Sequence, residues 1–187
     1  MDGVTAVIPS IPPRHEMLAR AVRSVDAQTH PATGLVVEMD ETHAGAAATR
    51  NAGLAKVATE WTAFLDDDDE WLPPHLEVLL AAAAAHEADV VWPWFEVVGG
   101  SDPFPGHRGR QFDIAEPHIF PICVLVRTEL AQQTNGFQTT TGDWNRDDLP
   151  FYRDLWDLGA RFHAVPDITW VWHHHGRNTS GQPERWQ

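Results

Sequence analysis

Five consecutive acidic residues, 66–70, follow directly on the apolar and aromatic stretch 61–65. That stretch predicts a buried strand, and open α/β sheets bind ligands at the carboxyl ends of their strands, where this strand would deliver the acids. Carboxylates packed together repel one another, and a divalent cation bound through oxygens offsets the repulsion. An isolated acidic run is more often a solvated loop, but the position directly after a buried strand favours a metal site here.

A run of small residues, 45–53, leads into a predicted helix over 46–58 and carries Arg50 near its start. Backbone N–H groups at a helix N-terminus and the Arg guanidinium both suit phosphate oxygens. Small residues at a helix start are more often a matter of packing alone. This stretch therefore predicts a phosphate contact only in combination with the other features.

Two further groups of polar residues lie near the C-terminal end of the sequence. Asp147 and Asp148 precede a predicted helix over 149–158, where acids are expected simply to complement the helix dipole. Three consecutive histidines, 173–175, follow a predicted strand and are possible metal ligands. Each group has an ordinary structural explanation when it is taken alone.

The elements that must position these residues predict an α/β fold with a mostly parallel central sheet flanked by helices. Apolar strand-like runs at 4–8, 35–37 and 61–65 alternate with helical periodicity at 17–25 and 46–58. Strand-helix-strand order makes strands parallel and gathers their carboxyl ends at one edge. After the acidic run we expect a helix that ends at 85, a strand at 90–98 and a glycine-rich loop at 99–109. Further along the chain we expect a strand at 119–126, a short helix from Thr128, and strands at 162–165 and 168–172.

Length and composition narrow the class of protein. The 187 residues suit one domain, and the net charge of -14 argues against nonspecific binding to nucleic acid or to anionic membranes. The one cysteine, Cys123, lies in an apolar run and is expected to be a buried thiol. No signal peptide or run long enough for a membrane helix is visible, so we expect a cytoplasmic protein.

Taken together, these stretches resemble the inverting nucleotide-sugar glycosyltransferases of family 2, which have the GT-A fold, a single Rossmann-like domain. The resemblance covers nearly the whole chain and is most diagnostic in the block 64–71. It also includes the first strand ending in Pro9-Ser10, residues 49–54, the turn at 135–137 and residues 175–180. It implies a nucleotide-sugar-binding half at about 1–98 and an acceptor-binding, catalytic half at about 110–187.

For the donor, the resemblance implies that Asp40 binds the uracil or other base, in a pocket lined by Pro9 and Ser10, and that Arg50 faces the diphosphate. The sequence departs from the family pattern at residues 38–42, where two adjacent aspartates and Gly-Ser are usual. It departs again at residues 11–14, which replace the usual Tyr-Asn. Both departures fall on the residues that would select the nucleotide.

For the metal, manganese or magnesium, the resemblance matches residues 66–68 to the DXD motif. Asp68 would bind the ion, while Asp66 and Asp67 would reach the ribose or the metal's waters. A C-terminal histidine would complete the site, with His175 the best match and His173 the alternative.

For the chemistry, the resemblance makes Asp148 of the pair Asp147-Asp148 the catalytic base. It would take the proton from an acceptor hydroxyl as that hydroxyl attacks the sugar of a UDP-sugar, with inversion of configuration. The acceptor stays open among a glycan, a protein, a lipid-linked sugar, a small molecule and a modified nucleobase. We expect Trp94 and Trp144 to face it, and the loop 99–110 to be either a lid or a plain connector.

Two other functions are compatible with the same residues. A nucleotidyltransferase or sugar-nucleotide hydrolase would also hold a nucleotide and a divalent ion on an α/β sheet. A reduced GT-A module could bind a sugar nucleotide or glycan without turnover. Candidates for every metal and base role are present, which favours the transferase.

Overall fold

A computed structural model describes residues 3–115, 123–138 and 148–175 of the chain. The strands of this part are β1 (Val4–Ser10), β2 (Gly34–Met39), β3 (Trp61–Phe64), β4 (Glu70–Trp71), β5 (Val90–Val98), β6 (Leu125–Arg127) and β7 (Phe162–His173). Its helices are α1 (His15–Asp26), α2 (Ala46–Leu54), α3 (His75–His86), α4 (Thr128–Ala131) and α5 (Leu149–Asp157), with a 3-10 turn, Pro12–Arg14, before α1. The predicted α/β class is confirmed.

The strands form a single sheet in the order β2-β1-β3-β6-β5-β7-β4. β1 is parallel to both β2 and β3. β6 is antiparallel to β3 and to β5, and two reversals restore the original direction, so β5 and its parallel neighbour β7 run the same way as β1. The carboxyl ends of β1, β2, β3, β5 and β7 therefore all lie at one edge of the sheet.

The two-residue strand β4 explains how the acidic run is held. It follows the run directly and pairs antiparallel with β7, Glu70 opposite Val171 and Trp71 opposite Trp170. In the sheet order β6, β5 and β7 lie between β3 and β4, a distance of roughly 19 Å in a flat sheet at about 4.8 Å per strand. Residues 65–69 include a turn, in which the Asp69 N–H donates to the Asp66 carbonyl at 3.2 Å. Because this turn shortens the segment, the sheet must curl to bring the ends of β3 and β4 close enough for these residues to connect them.

Strand β2 differs from the buried strand expected at 35–37. Its side chains alternate, with Leu35, Val37 and Met39 each more than one third exposed. β2 is the outermost strand and pairs only with β1, so nothing in the described part covers the face on which these three residues lie. The apolar run gave no indication that one face of this strand would be open.

Strand β7 is continuous where two strands were expected. Its pairing with β5 shifts register between the partners of Trp92 and Trp94, which are Ala164 and Ile168. Pro166 lies in this irregular stretch, where a residue without an N–H breaks no ladder hydrogen bond. The strand therefore passes the proline and extends to His173 at the carboxyl edge.

The end of the loop after β5 is docked against β7. The Gln111 side-chain amide donates to the Ala164 carbonyl and accepts from the Ala164 N–H, both at 3.0 Å. Arg108 Nε donates to the Pro166 carbonyl at 2.5 Å. These contacts fix residues 108–111 along the first half of β7, away from the carboxyl edge of the sheet.

Large aromatic and aliphatic side chains fill the interior, and Phe64, Phe151, Tyr152, Trp170 and Trp172 are almost completely buried. Cys123 is buried, as expected. No helix in the described ranges is long and apolar enough to cross a membrane.

Helix α2 approaches β1 closely at Gly53. A Cβ atom at this position would lie 2.5 Å from Cγ1 of the fully buried Val7, closer than real carbon contacts allow. In an open helical position, Gly→Ala stabilises by roughly 0.5–1 kcal/mol. Here the overlap should outweigh that gain, because neither element can move without disturbing the core.

We predict that Gly53→Ala lowers the free energy of unfolding by about 1–3 kcal/mol, measured by urea denaturation. The matched control is Val7→Ala, which removes the atom that the new methyl group would meet. In that background Gly53→Ala should be neutral or stabilising. A stability gain from Gly53→Ala in the wild-type background would contradict the close packing.

His75, at the start of α3, is a completely buried titratable group. Its Nδ1 lies 2.9 Å from Thr169 Oγ1, and its ring stacks on Trp71 with ring centroids 4.5 Å apart. Burial lowers the pKa of His75 from its usual 6.5 to about 3. The unfolded chain therefore takes up a proton below about pH 6.5 that the folded chain refuses, so stability is lost as the pH falls from there towards 3.

We predict that His75→Gln makes the free energy of unfolding less dependent on pH. The wild-type histidine should contribute a slope of up to about 1.4 kcal/mol per pH unit between pH 6 and pH 4. Urea denaturation at several pH values measures the slope, with the exposed His30→Gln as control. Equal slopes for wild type and His75→Gln would show that the ring is not held neutral.

Candidate active site

A cleft opens at the carboxyl ends of β1, β2 and β3, where the first part of the chain brings its polar residues together. Its lining comes from three strand ends, the loop after β1 and the start of α2, and includes Pro9, Ser10, Arg14, Asp40, Gly45 and Arg50. Asp66 and Asp67 of the acidic run form its floor towards β3. All six residues predicted to bind the nucleotide sugar therefore line one cleft.

Asp67 anchors the acidic run to β1. It is 2% exposed, and both of its carboxylate oxygens are paired with protein groups. Ser10 Oγ donates to Oδ2 at 2.6 Å, and Arg14 Nη1 donates to Oδ1 at 2.8 Å. This arrangement indicates that Asp67 shapes the cleft wall as well as bordering it.

Asp66 holds Arg50 at the cleft. The guanidinium Nη2 lies 2.5 Å from Asp66 Oδ1, and its carbon lies 5.7 Å from the centre of the Phe137 ring. Arg50 is buried and on α2, whose first turn, at Gly45 and Ala46, also lines the cleft. A buried guanidinium beside a helix N-terminus suits an anionic group such as a phosphate.

Asp68 meets the C-terminal end of β7. Its Oδ2 lies 2.9 Å from Nε2 of His175, a residue 107 positions away in the chain. The contact follows from the topology, since β3 and β7 both end at the same edge of the curled sheet. The two residues predicted to bind the metal are therefore adjacent.

The other two histidines point elsewhere. The His173 ring lies against Glu70, with Nε2 3.3 Å from the carboxylate. His174 packs edge-on against Trp172 and so close to Gly100 that a Cβ there would lie 2.1 Å from its Nδ1. Of the three rings, His175 is the one that contacts Asp68.

Asp69 is a residue of this cluster that the sequence analysis did not single out. It is 1% exposed, and its Oδ1 accepts the His173 backbone N–H at 2.8 Å. Burial, reinforced by the neighbouring Asp68 carboxylate, raises the pKa of Asp69 well above its usual range. Strand β4 begins one residue later and pairs with β7, and this pairing holds Asp69 against β7.

The residues fit a divalent cation. One carboxylate oxygen from each of Asp66, Asp68 and Asp69 lies within 4.8 Å of the other two, and His175 adds a ring nitrogen beside Asp68. A set of carboxylate oxygens with one imidazole suits manganese or magnesium better than a soft metal.

Three arginines surround the same acids. Arg50 pairs with Asp66, and Arg14 Nη1 contacts both Asp67 and Asp68, at 2.8 and 3.3 Å. Arg20, on α1, donates to the backbone carbonyl of Asp68. The acidic run is therefore compensated by protein charges as well as by any bound ion.

Asp40 shapes the loop between β2 and α2. Its carboxylate accepts backbone N–H groups from Gly45 and Ala44, both at 2.8 Å, and from Thr42 at 3.2 Å. These hydrogen bonds, those from Gly45 and Ala44 most of all, lower the pKa of Asp40, so the group stays ionised at the cleft wall. The position suits the predicted contact with the base, although the loop already uses both oxygens.

Asn51 ties α2 to the turn at 135–137. Its side-chain amide donates to the Phe137 carbonyl and accepts the Phe137 N–H, both at 2.8 Å. Gly136 has a φ of +77°, and a Cβ there would lie 2.5 Å from Asn51 Oδ1, so the turn requires glycine. This pairing gives a structural reason for two stretches that resemble the family pattern.

The same turn positions α5. The Phe137 ring stacks on Phe151 of α5 with centroids 4.3 Å apart, and Asn135 donates twice to Asp154, at 2.7 and 2.8 Å. Asp148 occupies the N-cap position of α5 but makes no capping hydrogen bond through its side chain, and it is half-buried. Its position still suits an acid that complements the helix dipole. Asp147 and Trp144 lie outside the described residues.

Trp94 is a buried residue of the sheet. It is 4% exposed in the middle of β5 and stacks on Phe95 with ring centroids 4.6 Å apart. Trp94 therefore packs within the described part of the fold, and its contact with an acceptor stays a prediction.

Comparisons with known proteins agree with this architecture. The model of the family "Glycosyl transferase family 2" matches residues 34–143. Succinoglycan biosynthesis protein ExoW of Rhizobium meliloti (strain 1021) is 29% identical, over 58% of this chain and 42% of its own length.

Two solved structures share the fold. S. aureus TarS 1-349 in complex with UDP-GlcNAc has a TM-score of 0.75 at 17% identity, over 96% of this chain and 61% of that chain. Mannosyltransferase PcManGT from Pyrobaculum calidifontis, in complex with GDP-Man and Mn2+, has a TM-score of 0.72 at 16% identity, over 94% and 58%. The chain thus spans about two fifths to three fifths of the length of these relatives. Since the family match covers more than half of the sequence, the chain belongs to glycosyl transferase family 2, with the GT-A fold.

Proposed function

We propose that the chain is a metal-dependent, inverting glycosyltransferase that moves a sugar from a UDP-sugar to an acceptor hydroxyl. The observation that carries the proposal is the contact between Asp68 and His175, beside Asp69 and beside Asp66, which lines the cleft together with Arg50. Arg50 and the acids lie more than 100 positions before His175 in the chain, and together these residues suit a metal and a phosphate at adjacent positions.

For the donor, we propose that Pro9, Ser10 and Asp40 hold the nucleoside and that Arg50 contacts the diphosphate. Asp40, Arg50 and Asp66 line the same cleft, so a nucleotide with its base at Asp40 would place its phosphates beside Arg50, near the acidic run. The complex of TarS with UDP-GlcNAc supports UDP as the first nucleotide to test, and the complex of PcManGT with GDP-Man supports GDP as the second.

For the metal, we propose Asp68 and His175 as ligands, with Asp66 and Asp69 close enough to bind the ion or its waters. Bound there, manganese or magnesium would act as a Lewis acid that stabilises the charge developing on the departing diphosphate. Arg50, which pairs with Asp66 of the same cluster, would add to that stabilisation.

For the base, we propose Asp148, with Asp147 as its neighbour. Asp148 begins α5, which the Phe137–Phe151 stack attaches to the donor half through α2. A half-buried carboxylate there would accept the proton of the acceptor hydroxyl. We accordingly propose residues 1–98 as the donor-binding half and 110–187 as the half that supplies the base and the histidine.

We predict that Asp68→Asn weakens manganese-dependent binding of UDP by on the order of 10- to 100-fold, because it removes a ligand charge and keeps the side-chain shape. Isothermal titration calorimetry with UDP, in manganese and in EDTA, measures the loss. Asp26→Asn, an exposed aspartate at the end of α1, makes the same charge change away from the cluster and should leave binding unchanged. Unaltered affinity in Asp68→Asn would remove Asp68 from the metal site.

We predict that Asp148→Asn keeps the affinity for UDP and manganese within about twofold, yet lowers turnover by about 10²- to 10⁴-fold, as expected for loss of a general base. Release of UDP from a panel of UDP-sugars measures turnover. Asp157→Asn, at the exposed end of the same helix, is the matched control. Equal turnover in Asp148→Asn and wild type would mean that another group is the base. A wild-type protein that binds UDP without releasing it from any sugar would instead support a binding module.

A further inference from the structure

Arg14 occupies a position at the proposed metal site that the donor and metal roles above do not use. Its Nη1 lies 2.8 Å from Asp67 Oδ1 and 3.3 Å from Asp68 Oδ2. The second of these oxygens is also the one that His175 Nε2 contacts at 2.9 Å. Asp68 Oδ2 therefore contacts both the guanidinium of Arg14 and the imidazole of His175, which is the other proposed metal ligand.

A divalent cation and Arg14 cannot both lie close to Asp68 Oδ2 without repelling each other. Ser10 donates to Asp67 Oδ2 at 2.6 Å, and Arg14 pairs with the other oxygen, Oδ1. Arg14 does, however, line the same cleft as Arg50, and its side chain is 24% exposed. It can turn towards a ligand in the cleft without disturbing the core.

The backbone before Arg14 holds this residue beside the acidic run. Arg14 ends the 3-10 turn Pro12–Arg14, whose two prolines restrict the chain, and its N–H donates to the Ile11 carbonyl at 3.0 Å. The turn follows β1 directly at the carboxyl edge. Movement of the charge would therefore come from side-chain rotation while the turn stays in place.

We propose that Arg14 competes with the divalent cation for Asp68 and, when displaced, pairs with the diphosphate, so that metal and nucleotide each strengthen binding of the other. This inference rests on the proposed function, in which a metal and a nucleoside diphosphate share the cleft. Without nucleotide, Arg14 neutralises part of the acidic run and opposes metal binding. With nucleotide, the phosphates give Arg14 a second partner and release Asp68.

The test measures metal affinity first, without nucleotide. In Arg14→Gln, manganese alone, titrated by calorimetry, should bind at least about fivefold more tightly than in the wild type, the lower end of typical couplings. Arg23→Gln removes the same charge from an exposed position on α1 and should leave manganese affinity unchanged. Arg14→Lys keeps the charge, but its ammonium reaches one bond less far than Arg14 Nη1, the atom that contacts both carboxylates, so it should bind manganese with intermediate affinity.

The second arm repeats the titration with UDP present. Manganese should raise the affinity of the wild type for UDP, and Arg14→Gln should reduce that enhancement by about fivefold or more. Unchanged or weaker manganese binding in Arg14→Gln would overturn the inference. If Arg14→Gln does not fold, as judged by its thermal unfolding, wild-type affinity in Arg14→Lys would overturn it equally.

The two proposals can fail separately. Absence of manganese-dependent UDP binding in the wild type would contradict the proposed function, while the nucleotide-free titration would still decide whether Arg14 opposes the metal. Normal binding and full enhancement in Arg14→Gln would leave the proposed function intact and reject the role of Arg14.

Discussion

Four consecutive aspartates, 66–69, are packed into one short loop, and three of them are less than one tenth exposed. Carboxylates at this density repel one another, so the loop can exist only if opposite charges and N–H donors surround it. Arg14, Arg20 and Arg50 provide the positive charge, and the Ser10 hydroxyl and the His173 N–H provide further donors. Much of the cleft is explained by this requirement, because three of these groups, those of Ser10, Arg14 and Arg50, also line it.

The topology supplies those groups from distant parts of the chain. Arg14 and Arg20 come from the turn and helix after β1, Arg50 from α2, and His173 and His175 from the end of β7. Strand β4 joins the acidic run to the C-terminal strand of the sheet, since it follows the acids and pairs with β7. A two-residue strand therefore helps to bring Arg14 and His175 to one carboxylate, that of Asp68.

Much of this architecture could be predicted from local sequence patterns. The alternation of apolar runs and helical periodicity gave the α/β class, and the block at 64–71 placed the acids at a strand end. The open face of β2 could not be predicted, because exposure depends on strand order and not on the residues of the strand itself. Burial of Trp94 follows from the same dependence, since only the order of the sheet makes β5 an inner strand.

The partners within the site were the hardest feature to predict. In the sequence, Asp69 is one more member of an acidic run. In the structure it is a buried part of the cluster, and it accepts the N–H of His173, more than 100 residues away. Arg14 lay in a loop that departs from the family pattern, and its two carboxylate contacts depend on the position of β3. We had expected a metal to offset the repulsion of the acids, whereas the fold already offsets part of it with arginines.

The most direct test of the central claim is a crystal structure of the chain grown with UDP and manganese, with the ion located by its anomalous signal. The account predicts an anomalous peak bound by Asp68 and His175, with the UDP phosphates between the ion and Arg50. UDP in the cleft with no ion beside Asp68, or an ion bound only by acids elsewhere in the chain, would contradict it.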